Sequence, residues 1–185
     1  MRRALDTLYS IALWLSALCL ATIALMVGVQ LAARIIDGAL SLLGLPVYGL
    51  VILSMDEIAG YLLAAASFLA LAPTLKAGAH IRVTMLLSSL NETRRRYVEI
   101  FAFVFAAAAS GFMTAHIAHF AYVSFKFQEV SSGVVKVLLA YPQTAMAVGA
   151  LVLTIALVDE TLIVIRQGRP TFRAAEDAIT LGKEG

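Results

Sequence analysis

The chain has 185 residues, of which 61% are hydrophobic and 14% charged, with a mean hydropathy of +0.90, whereas a soluble domain carries roughly a quarter charged residues. Its formal charge of +2, with Lys and Arg scattered between apolar runs, excludes an electrostatic nucleic-acid interface. A bilayer span takes about 20 residues, so a handful of spans uses up the length and leaves no room for a separate catalytic domain.

Arg2 and Arg3 precede the first apolar run, residues 8–33. That run far exceeds the apolar segment of a cleaved signal, about 7 to 15 residues, and reads as a retained first span. Cys19 lies within it as the single cysteine, so no internal disulfide forms. The next piece, "DGALSLLGLPVYGLVILSMD" from Asp37 to Asp56, is apolar but punctuated by Gly38, Gly44, Pro46 and Gly49. It reads as an interfacial or partly re-entrant connection, with a start near Val47 as the alternative for the second helix.

The second span covers residues 57–75. Asp56 and Glu57 stand at its N-terminal end, where the helix dipole is positive, and Lys76, Gly78, His80 and Arg82 follow its negative end. Placed by dipole and topology, these charges mark the two ends of one oriented helix. With a start near Val47 the two acids would instead lie about 15 Å into the helix and need a donor or cation from a partner.

The third span covers residues 98–125, with Asn91 or Thr93 positioned to cap its first turn. Ala102, Ala106, Ser110, Thr114 and Ala118 recur every four residues along it. This ridge of small side chains permits close approach of another helix, in this chain or in a partner. The fourth span covers residues 138–165 and carries Ala145 and Gly149, a small pair matched by Gly60 and Ala64 in the second. Residues 1–170 therefore form a single four-helix membrane domain, and residues 171–185 a short polar tail. Of the 14 Lys and Arg residues, only Arg34, Lys126 and Lys136 fall on the side opposite the termini. By the positive-inside rule both termini are cytoplasmic. The expectation is an all-α integral membrane protein of four transmembrane helices.

Two further groups invite chemistry. His116 and His119 share one turn near the outer end of the third span, but tetrahedral zinc needs three or four protein ligands, and helix packing or an interfacial role is the better account. Asp159 and Glu160, near the cytoplasmic end of the fourth span, suit either a proton relay or headgroup anchoring with Arg166 two turns on; anchoring is favoured, since acids at span ends avoid most of the burial cost. No phosphate loop, nucleophile elbow or zinc-protease motif occurs. Neither a cofactor, a metal nor an enzymatic activity is expected.

The stretch "DEIAGYLLAAASFLALAPTLKAGAHIRVTMLLSSL" resembles the signature region of the small membrane subunit of tripartite ATP-independent periplasmic (TRAP) transporters, the DctQ-like family. There an acidic pair opens the second helix, here Asp56 and Glu57, and a basic-glycine-x-histidine-isoleucine pattern follows, here Lys76, Gly78, His80 and Ile81, with Arg82 next. Arg34 in "RIIDG" is similar to the arginine of the family's first-span region. Ser54-Met55 and Gly60-Tyr61 depart from the Trp and Arg that family members often carry around the acidic pair.

The resemblance implies a non-catalytic scaffold in the bacterial inner membrane. It would brace a DctM-like large membrane subunit, which takes up an organic acid or similar solute by ion-gradient symport after delivery by a periplasmic binding protein. Arg34, Asp56, Glu57, Ala102, Ala106, Ser110 and Thr114 are the candidate subunit contacts, with membrane lipids as the other partner. The alternative, a self-sufficient small dimeric proton-coupled exporter, needs a carboxylate deep in the membrane, and none lies mid-span on this map.

Overall fold

A computed structural model describes residues 2–77 and 91–168. It is all-helical: α1 spans Arg2–Leu42, α2 Met55–Lys76, α3 Glu92–Lys126 and α4 Ala140–Gln167. All four are long and apolar enough to cross a membrane. Apart from an isolated antiparallel bridge between Val130 and Leu138, the described residues hold no extended pairing. This follows from the solvent, since in hydrocarbon a helix satisfies its backbone polar groups within itself.

The helices lie side by side in the order α1, α2, α4, α3, and α1 touches α4 only lightly. Tyr9 and Ala12 of α1, Leu75 of α2, Phe103 of α3 and Val164 of α4 share one buried cluster. The start of α1 and the end of α4 therefore lie at the same end of the bundle, called here the termini end.

The connection between the first two spans is shorter than the glycines suggest. α1 runs through Gly38, where a helix tolerates glycine at about 1 kcal/mol, and stops at Gly44. There φ is +68°, Leu45 N donates to Leu40 O at 2.9 Å and Gly44 N to Ser41 O at 3.2 Å. This paired bonding around a left-handed glycine satisfies the last carbonyls, and Pro46 follows where a helix cannot resume. The alternative start near Val47 is not found. Residues 45–52 are irregular, Gly49 and Ser54 take left-handed backbone at φ +64° and +55°, and α2 begins at Met55. α3 also starts early, at Glu92 just after Asn91, whose carbonyl accepts the first helical bond from Arg95 N at 2.9 Å.

Three close approaches lie on one cross-section of the bundle. Ser16 Oγ donates to Ala66 O at 2.8 Å. Gly149 faces the Phe68 backbone, so that a Cβ there would lie 2.5 Å from the Phe68 carbonyl carbon. Ser110 Oγ reaches Ala150 O at 3.4 Å and Thr154 Oγ1 at 2.8 Å. Small residues and back-bonded hydroxyls thus let the helices touch where lipid supplies no hydrophobic drive.

From that level, Leu42 is about 39 Å along α1 while Met55 is only about 16 Å along α2, at 1.5 Å per residue. α1 therefore overhangs α2 by about 23 Å, and among the described residues the returning loop alone accompanies it. Two side chains of α1 hold that loop: Asp37 accepts from Tyr48 N at 2.8 Å and Gly49 N at 3.0 Å, and buried Gln30 accepts from Ile52 N at 2.8 Å.

Candidate functional site

At the termini end, the last turn of α2 delivers Lys76 to two adjacent carboxylates of α4. Its Nζ lies 2.7 Å from Asp159 Oδ2 and 2.8 Å from Glu160 Oε1. The Glu160 side chain is 0% exposed and Lys76 20%, so the ammonium neutralises an acid that water does not reach. The Tyr9 ring of α1 covers the group, with Lys76 Nζ 5.4 Å from its centroid. Three helices thus close over one cation. Beside it, Arg96 donates to the Ile165 carbonyl at 2.6 Å, and Arg95 pairs with buried Glu99 at 3.3 Å.

Sequence reasoning treated Lys76 as a boundary marker and Asp159 and Glu160 as headgroup anchors near Arg166. The structure joins the two groups instead. The usable signal was topological: α2 and α4 run parallel in a four-span chain, which puts a last-turn lysine level with acids near the end of the other helix. Gly78, His80 and Arg82 of the same pattern lie outside the described residues.

At the opposite end, Asp56 and Glu57 occupy the first turn of α2. Asp56 is exposed. Glu57 turns inward, where Oε1 accepts from Tyr61 at 2.9 Å and Oε2 is buried without a hydrogen-bond partner. The carboxylate rests on Gly133, where any added Cβ would collide with it. Ser54 Oγ accepts from Val135 N at 2.9 Å, so the segment between α3 and α4 is seated on the start of α2. Arg34 is exposed. It is Asp37 in "RIIDG", not singled out from sequence, that makes contacts, by holding the loop.

The small-residue ridge of α3 divides. Ser110 and Thr114 face α4, where Thr114 Oγ1 lies 3.3 Å from Thr154 Oγ1, and Ala106 is half-buried beside the core. Ala102 is exposed. Farther along, Thr114 and Ala118 line an open apolar groove of about 840 Å³ between α3 and α4. Among the described residues no three His, Cys, Asp or Glu side chains converge to hold a metal. What the arrangement does is mechanical: it ties the end of α2 to α4 and its start to the segment between α3 and α4, and among the described residues the outer faces of α1 and α3 stay uncovered.

Comparison with known proteins gives one assignment. The sequence matches the family described as tripartite ATP-independent periplasmic transporters, DctQ component, over residues 48–167. That interval runs from the loop before α2 to the end of α4 and includes both the Lys76 clamp and the Glu57–Gly133 contact. No curated protein matches the chain. The match covers well over half of the 185 residues, and the chain belongs to the DctQ component family of TRAP transporters.

Proposed function

We propose that this chain is the non-catalytic small membrane subunit that braces the DctM-like large subunit in the bacterial inner membrane. The large subunit then takes up an organic acid or similar solute, delivered by a periplasmic binding protein and driven by an ion gradient. The observation that carries this reading is the contrast in burial across a family-matched bundle. Half of α4's apolar stretch is buried within the chain, against 11% for α1 and 11% for α3. A rigid inner seam with open outer faces suits a subunit that finishes its packing against another protein.

Both termini are assigned to the cytoplasm, because among the described Lys and Arg residues only Arg34, Lys126 and Lys136 fall at the other end. Asp56, Arg34 and Ala102 are exposed and serve as subunit contacts in this reading. Glu57 orders the segment beneath them. Ser110 and Thr114 are engaged with α4 and act by stiffening the seam. The exporter reading calls for a free carboxylate beside a mid-membrane cavity. Among the described residues the buried acids Glu99 and Glu160 each meet a cation at the termini end, and Glu57, in the first turn at the opposite end of α2, is held by Tyr61 against Gly133.

The test is to express the chain with its genomic neighbours, purify through a tag on this chain, and measure solute uptake in reconstituted vesicles. A large membrane protein copurifies and uptake requires both chains. Uptake at full rate without this chain removes the scaffold role.

A further inference from the structure

Between α3 and α4, toward the termini end, Val104, Ala107, Val158, Thr161 and Leu162 line an open crevice of about 200 Å³. The polar group in that lining is already satisfied, because Thr161 Oγ1 donates to Leu157 O at 2.7 Å. The wall is therefore hydrocarbon, with Val104 50%, Val158 46% and Leu162 45% exposed. Its stripe continues toward the helix ends. Arg166 follows Leu162 by one turn, and Arg96 shares a face of α3 with Ile100 and Ala107 by helical spacing. The two arginines meet at the mouth of the crevice. Arg96 Nη2 donates at 2.6 Å to Ile165 O, the carbonyl bonded to the Arg166 amide nitrogen. That bond uses one of five guanidinium N–H groups and holds the side chain across from α3 to α4.

Among the described residues the charge at this mouth is uncompensated. Arg96 and Arg166 are exposed, and the neighbouring carboxylates are committed elsewhere. Glu99 pairs with Arg95, while Asp159 and Glu160 hold Lys76 on the α2 side of α4. Two guanidiniums at the end of an apolar wall call for a ligand that is anionic at one end and hydrocarbon along the rest. A zwitterionic headgroup would bring an ammonium with no carboxylate to receive it.

We propose that this crevice binds one anionic phospholipid, with its phosphodiester between Arg96 and Arg166 and one acyl chain along Val104, Val158 and Leu162. Guanidinium and phosphate form charge-assisted, bidentate hydrogen bonds, and basic groups between membrane helices receive lipid headgroups in this way. A partner helix, about 10 Å across, bridges a crevice of this size, whereas an acyl chain enters it. Arg94 is also exposed, but lies two residues from Arg96 and so on nearly the opposite side of α3. It supplies a control of equal charge.

The inference needs only a membrane-embedded chain, so it stands or falls apart from the scaffold role. The purified full-length chain in detergent is offered phosphatidylglycerol or phosphatidylcholine of equal acyl length, and retained lipid is counted by native mass spectrometry. Wild type is compared with Arg96→Gln, Arg166→Gln, Arg94→Gln and Val104→Trp. Circular dichroism confirms that each variant is helical, and Arg166→Gln and Val104→Trp keep the test decisive if Arg96→Gln fails to fold.

Wild type is expected to prefer phosphatidylglycerol by about tenfold, Arg96→Gln and Arg166→Gln each to weaken its retention about fivefold, and Arg94→Gln to change it less than about twofold. Val104→Trp fills the crevice with both guanidiniums intact and should weaken retention as much as the glutamine variants. An equal loss from Arg94→Gln overturns the site, by reducing it to general attraction toward a basic rim, and so does equal retention of the two lipids. If Val104→Trp keeps its lipid and inorganic phosphate displaces it, the mouth binds a bare anion and the acyl slot is refuted. In the chain co-expressed with the large subunit, loss of the lipid together with photo-crosslinking from position 162 to that subunit makes a partner segment the occupant and also overturns the proposal.

Discussion

α4 and α1 are apolar to much the same degree, yet they are specified by different surroundings. α4 buries Ala147, Gly149, Ala150 and Ala156, small residues that bring neighbouring backbones close on both flanks. α1 buries little beyond Tyr9, Ala12, Ser16 and Gln30, and turns large side chains outward, with Trp14 76%, Leu18 63% and Leu25 69% exposed. In water such exposure would mark a fault; in a bilayer it marks the face given to lipid or to another chain. An inner helix is thus fixed by the detail of its contacts, and an edge helix mainly by length and greasiness. Substitutions that break contacts along α4 are therefore costly to the isolated chain, and equivalent changes on α1 are not.

The largest effect is expected for Lys76→Met, which removes the cation from beside a fully buried carboxylate. Breaking a buried pair on one side costs about 3–5 kcal/mol, read as thermal unfolding of the purified chain in detergent, with Lys76→Arg largely retained. Unchanged stability of the Met variant would show that the clamp is dispensable. Next is Gly149→Ala, whose new methyl meets Phe68 backbone rather than a yielding side chain; about 1–3 kcal/mol is lost as α2 and α4 move apart. A wild-type melting curve for it would contradict the tight seam.

Smaller again is Gly133→Ala, at about 1 kcal/mol, because the obstructing Glu57 side chain can swing away. Its cost should shrink when Glu57→Ala is added, a coupling that a double-mutant cycle measures directly. Simple additivity of the two changes would mean that the carboxylate does not rest on the glycine. At the bottom, Leu18→Ala on α1 should stay within about 0.5 kcal/mol in the isolated chain. A larger loss would mean that α1 packs on the bundle more than its exposure implies.

The four spans were legible because each is a long apolar run bounded by charge, and the family was legible because Asp56, Glu57 and Lys76 stand at recognisable spacing. The end of α1 was not. Gly38 and Gly44 look alike in sequence, yet one lies inside a helix and the other closes it, and only the bonds to Leu40 and Ser41 separate them. The clamp was hidden for another reason. Lys76 and Asp159 are 83 residues apart, and pairing them requires knowing that α2 and α4 are neighbours.

The two attachments of α2 have a consequence for the membrane itself. With 22 residues the helix is about 33 Å long, close to one hydrocarbon thickness of about 30 Å. It is fastened at its start through Ser54 to Val135 and at its end through Lys76 to Asp159 and Glu160. A free helix meets a thicker or thinner bilayer by tilting, but one tied to α4 at its end and to the segment leading into α4 at its start does not tilt alone. A change of bilayer thickness is therefore met by α2 and α4 tilting as one body or by the surrounding lipid, not by α2 by itself.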